Sequence, residues 1–186
     1  MEIILASQSP RRQALLKLVL SSFRVEVAAI DETALKDEAP LAYVKRMAYE
    51  KAAKIAQLHP QALVIGSDTS VVIGQQILGK PDNRQAAKAM LQQLSQASHK
   101  VHTAVCLIQS GEAKTFVSSA TVTFSKLTDQ EIEDYLDLNE YQDKAGAYGI
   151  QGAAAKFIEK IDGDYYAIVG LPVNKLYQEL KSIIHS

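Results

Sequence analysis

A turn near the amino terminus, Leu5-Ala6-Ser7-Gln8-Ser9-Pro10-Arg11-Arg12, brings together two hydroxyls and two guanidinium groups. Ser9 followed by Pro10 reads as a helix N-cap and the first helical residue, where proline's missing N–H and fixed φ cost nothing. The first turn of a helix presents unpaired N–H groups and the positive end of the macrodipole, so carboxylates are normally favoured there. Arg11 and Arg12 stand there instead, which disfavours the helix and suits an anion. An arginine fork matches pairs of phosphate oxygens, and Ser7 and Ser9 add hydroxyl donors. One reading is a polyphosphate site; the other is a pair of solvated arginines, or arginines paired with acids elsewhere. It is not a Walker loop, because G-x-x-x-x-G-K-[ST] is absent from the chain.

Two further places carry acids in company that asks for an explanation. Asp68 lies between the apolar runs Leu63-Val64-Ile65 and Val71-Val72-Ile73. That pattern predicts a strand, a break at Asp68 and a second strand, with Gly66 marking a bulge or a close backbone approach. An isolated buried charge costs on the order of several kcal/mol, so Asp68 must be paired, ligate a metal or open into a cleft. Asp31-Glu32-Thr33 follows a second predicted strand, Phe23 to Ile30, and its paired acids suit a divalent metal as well as they suit an exposed loop. On the cationic side, a long helix opening at Pro40 carries Leu41, Val44, Ala48, Ala52, Ile55 and Leu58 on one face, and helical projection puts Lys51 inside that stripe. Lys51 either snorkels to water or emerges in a cleft opposite a negative partner. Arg46 and Glu50 fall on the opposite, solvated face. Lys80, between Gly79 and Pro81, sits on a constrained loop.

The rest of the chain reads as scaffold. Ile3 to Leu5 forms a short buried strand, with Leu15, Leu16, Leu18 and Val19 on one face of the helix behind it. Gly74 turns a hairpin, and Asp82 or Asn83 caps a helix through Leu94 bearing Ala87, Met90 and Leu91. Strands follow over Val101 to Ile108 and through Val122 and Phe124, joined at Ser110-Gly111. Thr128-Asp129-Gln130-Glu131 has capping-box form and starts a helix with Ile132, Tyr135 and Leu136. His99 and His102 fall on opposite strand faces, which argues against a shared metal; His59 and His185 have no partner in sequence. The glycine-rich stretch Asp143 to Ala155 suggests backbone packed against a ligand, with Tyr148 and Gln151 as its large or amide-bearing side chains, although a plain structural loop reads the same way. A hairpin turning at Asp162-Gly163 is predicted to join Phe157–Ile161 to Tyr165–Val169, before a final helix from Pro172 to Ile184.

Bulk properties bound these readings. With 186 residues, 47% apolar and 22% charged, the chain fits one globular domain or two small lobes. Its 20 basic and 21 acidic residues sum to a formal charge of -1, which leaves no global field to hold nucleic acid stably or to attract an anionic membrane. Cys106, the single cysteine, excludes an internal disulfide framework and a thiolate zinc cluster. No leader-like or membrane-spanning apolar stretch is present, so the expectation is a soluble cytoplasmic protein.

Taken together, Leu5-Ala-Ser-Gln-Ser-Pro-Arg-Arg12, Gly66-Ser-Asp-Thr69, Gly79-Lys-Pro81, Ala145-Gly-Ala-Tyr-Gly-Ile-Gln-Gly152 and Gly163-Asp-Tyr-Tyr-Ala-Ile-Val-Gly-Leu-Pro172 resemble the Maf family of nucleoside triphosphate pyrophosphatases. The resemblance runs from Ile4 to about Leu180, and those five motifs keep the family's order. It implies an α/β fold, with an elongated, twisted mixed β-sheet flanked by helices and two lobes around a central cleft, of the Maf/ITPase-like kind, with residues 1–186 as a single domain. The implied reaction is hydrolysis of a nucleoside triphosphate to the monophosphate and pyrophosphate with a divalent metal, Mg2+ or Mn2+. Matched onto the family motifs, Asp68 is the catalytic carboxylate; Ser7, Arg12, Lys51 and Lys80 bind phosphate and substrate; Glu32 and Asp68 hold the metal. The family's branches differ at three positions, where the 7-methyl-GTP branch carries Trp, Gln and Glu. This chain has Arg11, Thr69 and Gln151, the set of the pyrimidine branch, which implies dTTP and UTP as substrates. A homodimer is the possible assembly. The rival reading is a nucleotide-binding regulatory protein of the septum-formation inhibitor type. The complete set of acids argues against it, because Glu32 and Asp68 would repel a polyphosphate in the absence of a metal.

Overall fold

The computed structural model describes residues 1–184. In chain order the elements are β1 (Ile3–Ala6), α1 (Pro10–Leu16), β2 (Arg24–Val25), α2 (Pro40–Ala56), β3 (Leu63–Ile73), β4 (Gln76–Leu78), α3 (Arg84–Leu94), β5 (Ser98–Gln109), β6 (Glu112–Phe124), α4 (Asp129–Asp137), two 3-10 turns (Ala145–Ala147 and Ala153–Phe157), β7 (Ile158–Gly163), α5 (Tyr165–Val169) and α6 (Val173–Ile184). All seven strands join one mixed sheet in the order β2-β1-β3-β5-β6-β7, with β4 also paired to β3. β1 runs parallel to β2 and β3, and every other pairing is antiparallel.

Strand alternation sorts the core. Successive side chains point to opposite faces, so Ile4, Val64 and Cys106 pack under α2 with Val44, Ala48 and Ile55, while Leu5, Ile65 and Leu107 pack on the other face with Leu16, Leu176 and Leu180. The far end of the sheet has its own cluster, in which Val71, Val101 and Phe124 meet Leu91 and Leu94 of α3 and Ile132 and Tyr135 of α4. These two packed ends are the lobes, and β3, β5 and β6 run through both. No helix among the described residues is long and apolar enough to cross a membrane.

Four sequence expectations are corrected. β3 is continuous through Asp68, because β5 pairs with every residue from Val64 to Val72 and holds the backbone in the ladder. Of the two readings of Gly66, close approach is right: a Cβ there would lie 2.3 Å from the Ala48 carbonyl oxygen and 2.7 Å from the Ala52 nitrogen. The strand expected over Phe23 to Ile30 shrinks to β2, since its only neighbour, β1, ends at Ala6 and offers register to Arg24 and Val25 alone. Tyr165–Val169 is helical rather than the second arm of a hairpin. Asp164 caps it by accepting from the Tyr166 N–H at 2.9 Å, and β7 already pairs with β6. Local capping outweighs the β-propensity of Tyr, Ile and Val there. The apolar stripe of α2 is also narrower than projected, with Leu41 46% exposed and Leu58, beyond the helix, 63% exposed.

His99 and His102 do fall on opposite faces, the first bonded to the Tyr148 hydroxyl at 2.7 Å and the second to the Ser119 hydroxyl at 2.7 Å. His59 meets the Glu26 carboxylate at 2.9 Å, and His185 lies outside the described residues. Burial holds the His99 imidazole down at about 4. Between pH about 6.5 and 4 the unfolded chain therefore takes up a proton that the native state refuses, so stability falls on acidification across that window, by an amount on the order of 3 kcal/mol at most. Urea unfolding of His99→Gln from pH 7 to 4 is expected to show a flatter dependence than the unsubstituted protein; parallel curves would remove His99 from the account.

Candidate active site

The cleft begins as a gap in a strand edge. β1 pairs with Leu63 to Gly66 and β4 pairs with Val71 to Ile73, so Ser67, Asp68, Thr69 and Ser70 have no strand partner on that side, while β5 pairs with them all on the other. The Leu63 N–H points toward β1, where it bonds Glu2. Alternation then turns the Thr69 N–H and carbonyl toward the same open edge. The cleft over this gap encloses ≈ 940 Å³, and Ser7, Arg11, Arg12, Glu32, Lys51, Asp68, Thr69, Lys80 and Gln151 all line it. The structure thus brings together every site residue expected from sequence.

On the α2 side, the Lys51 ammonium lies 2.7 Å from Asp68 Oδ1 and 3.0 Å from Glu32 Oε1. Asp68 and Lys51 are about equally enclosed, their side chains 10% and 11% exposed, whereas Glu32 is 49% exposed. Lys51 therefore meets a negative partner in a cleft, as one of its two readings required. Glu32 reaches it from an irregular segment pinned in three places. The Tyr43 hydroxyl donates to the Glu32 carbonyl at 2.9 Å, and the Arg46 guanidinium donates to the Thr33 carbonyl at 3.1 Å and grips both oxygens of Glu38 at 2.7 Å. That fork draws the Glu38 carboxyl down to about 2. Arg46 is thus a tether rather than part of a solvated face. Burial, reinforced by the charges of Asp68 and Glu32, pushes the Tyr43 phenol up to about 12 and keeps it a proton donor.

On the opposite face of β3, Arg12 is held at three points. Nε donates to the Gly170 carbonyl at 2.9 Å, Nη2 to Thr69 Oγ1 at 3.1 Å and Nη1 to Ser7 Oγ at 3.4 Å. One hydrogen on each terminal nitrogen remains for a ligand. Burial lowers the Arg12 pKa against the opposing field of Asp68, and Arg11 adds to the lowering. The direction of the hydroxyl chain behind it follows from counting protons. Thr103 donates to the Ala167 carbonyl at 2.6 Å, so at the 2.8 Å Thr69–Thr103 contact Thr69 donates, and it accepts from Arg12. Ser9 caps α1 as expected, accepting from the Arg12 N–H at 3.4 Å, and Ser7 accepts from the Ser9 N–H at 3.2 Å, leaving its own proton for a ligand.

Lys80 is placed by a backbone bond across the cleft, from the Gly146 N–H to the Gly79 carbonyl at 3.1 Å. Tyr148, a candidate for ligand contact, touches the cleft with its ring but spends its hydroxyl on His99 and packs edge-on to Phe124. Tyr43 and Thr103 support the site without being among the residues expected from sequence. Tyr43 stands two i, i+4 steps before Lys51, a signal that was there to read; Thr103 is brought to Thr69 only by the β3–β5 register. For a divalent cation, Glu32 and Asp68 would be the donors, and no group of three acidic, histidine or cysteine side chains converges among the described residues. Two carboxylates that already converge on one ammonium fit Mg2+ or Mn2+ when phosphate and water complete the shell.

Fold and site together define an α/β protein with a two-lobed mixed sheet, whose cleft sets Arg12, Lys51 and Lys80 with Glu32 and Asp68 around an unpaired strand edge. A family model described as Maf-like protein matches residues 2–183, and the chain belongs to the Maf family. A protein of Latilactobacillus sakei subsp. sakei (strain 23K) named dTTP/UTP pyrophosphatase is 48% identical, over 96% of this chain and 99% of its own. Another of that name from Bacillus cereus (strain Q1) is 44% identical, over 97% of this chain and 94% of its own. Among solved structures, the Staphylococcus aureus Ham1 protein shares the fold with a TM-score of 0.58 at 14% identity, covering 98% of this chain and 99% of that one.

Proposed function

We propose that this protein is a nucleoside triphosphate pyrophosphatase that hydrolyses dTTP and UTP to the monophosphate and pyrophosphate, with residues 1–186 acting as one domain in the cytoplasm. The names of the relatives at 44% and 48% identity support the substrate. The observation that carries the chemistry is the Glu32–Lys51–Asp68 cluster set across β3 from the Arg12 fork.

Asp68 orients a water through the oxygen not bonded to Lys51 and takes its proton as the water oxygen bonds to the α-phosphorus. The bond from that phosphorus to the bridging oxygen breaks, and its electron pair leaves with pyrophosphate. Arg12, Lys80 and the Ser7 hydroxyl bind the departing phosphates, where negative charge builds up. Lys51 fixes Asp68 and Glu32 at a common point and offers its ammonium to the same phosphates. Mg2+ or Mn2+ held by Glu32 and Asp68 would neutralise phosphate charge and polarise the reacting centre.

Hydrolysis of dTTP in 18O-labelled water tests the reaction. Label is expected in the monophosphate, pyrophosphate is expected as the first product, and excess chelator is expected to abolish turnover. Orthophosphate as primary product, label in pyrophosphate, or full activity in chelator would each sink the proposal. Tight nucleotide binding without turnover would favour the regulatory reading.

A further inference from the structure

Glu140 and Lys144 line the cleft but take no part in the chemistry above. Both belong to the segment after α4, and both touch the stretch that carries Gln151. There the Gly152 N–H donates to the Gly149 carbonyl at 3.1 Å and closes a four-residue turn with Ile150 and Gln151 in the middle. Ile150 is buried in the cluster with Leu5 and Ile65, which anchors one side of the turn and leaves Gln151 exposed at its tip.

Each end of that turn is gripped. At Gly149 the Lys144 stem lies so close that a Cβ would come within 2.9 Å of its Cε. At the other end Glu140 Oε2 accepts from the Ala153 N–H at 2.8 Å, and a Cβ on Gly152 would lie 2.2 Å from that oxygen. The two grips are tied together, because Lys144 Nζ donates to the Glu140 carbonyl at 2.6 Å. Burial, together with the nearby Arg11, lowers the Lys144 pKa. Gly149 and Gly152 are therefore glycines for a reason of space: any side chain would push the brace off the turn.

We propose that Glu140 and Lys144 are positioning residues for Gln151, and that by fixing the turn Gly149–Gly152 they set where its amide meets the nucleobase. This rests on the reading of Gln151 as a base contact. An amide at a loop tip discriminates only if its backbone is held, since a mobile donor and acceptor re-pair with the wrong base at little cost. The polar ends of both residues are spent on the turn and on each other, so their loss is expected to fall on selectivity and not on bond cleavage.

The test compares Glu140→Asp, Glu140→Gln and Gly152→Ala. Aspartate keeps the charge but is one methylene too short to reach the Ala153 N–H, glutamine keeps an accepting oxygen at the right length, and Gly152→Ala displaces the carboxylate with every other side chain intact. The kcat/KM ratio of dTTP to GTP is expected to fall about tenfold in Glu140→Asp and Gly152→Ala, mostly through KM for dTTP, with kcat at saturation changed less than about threefold. Glu140→Gln is expected to restore the ratio. Thermal unfolding of each variant identifies any that fails to fold, and Gly152→Ala carries the test if Glu140→Asp does. An unchanged ratio in folded Glu140→Asp or Gly152→Ala, or equal losses with both nucleotides, overturns the proposal. A non-selective unsubstituted protein would instead overturn the specificity reading on which it rests.

Discussion

Asp68→Asn is expected to reduce dTTP turnover by about two orders of magnitude or more, because it removes the proton acceptor and one of two anionic donors to the cation at once. The structure changes the reason for expecting the variant to fold. From sequence alone, removing a carboxylate from a metal-free site looks like relief of repulsion; in the fold, Asp68 is paired with Lys51 at 2.7 Å. Truncating one partner of a buried pair normally strands the other charge. Here Lys51 keeps Glu32 at 3.0 Å, and an asparagine oxygen can still accept at the Asp68 position. The loss is then that of a charged hydrogen bond becoming a neutral one, about 1–2 kcal/mol, or roughly 3–6 °C in the unfolding midpoint. Pyrophosphate release and calorimetry on the same preparation separate the two effects. Turnover like that of the unsubstituted protein would remove Asp68 as the base, and an unfolded variant would show that Glu32 does not retain Lys51.

What sequence could show here divides along the range of the interactions. Local chemistry was legible: the Ser9 cap, the Thr128–Glu131 capping box, and the displacement of Lys51 onto the core face of α2 each depend on residues within one or two helical turns. A charge between two apolar runs has to be paired, ligate a metal or open into a cleft, and Asp68 is paired; the strand nevertheless does not break there, because the partner comes from α2 and the continuity from β5. Tyr165–Val169 differs in the opposite sense: the Asp164 cap, itself a local signal, outweighs β-prone side chains. Thr103 and the Glu140–Lys144 brace could not be found by spacing, since strand pairing sets Thr103 behind Thr69 and turn geometry brings Glu140 to the Ala153 N–H. The family resemblance supplied the residue set at once, but it says nothing of the strand-edge gap that brings the set together.

In base selection the proposal has its second large consequence: kcat/KM for dTTP and UTP is expected to exceed that for GTP and ATP by about 10² or more. Arg11, Thr69 and Gln151 line the same cleft, at the first turn of α1, on β3 and at the tip of the Gly149–Gly152 turn. A Gln151 amide can donate to a pyrimidine carbonyl and accept from the ring N–H, whereas a carboxylate at this position would suit a cationic methylated purine by charge. Thr69 contributes with restricted freedom. Its proton is committed to Thr103 and one lone pair to Arg12, so what remains is a single acceptor, which a base carbonyl cannot use. On the proposed reading the Arg12–Thr69 bond would tie base recognition to catalysis, because a base that disturbed Thr69 would also disturb the guanidinium proposed to bind the phosphates. Arg11 is exposed and lines the cleft, where its bulk would take space that a second ring needs. Gln151→Glu is therefore expected to weaken the pyrimidine preference before it slows the chemical step, since it turns the tip into an acceptor only and leaves Asp68, Lys51 and Arg12 untouched. Steady-state kinetics with dTTP, UTP, GTP and ATP on both proteins measures this directly. Equal kcat/KM for dTTP and GTP in the unsubstituted protein refutes the specificity while the reaction type stands, and a Gln151→Glu variant that loses kcat but keeps its preference would place the amide on the phosphates instead of the base.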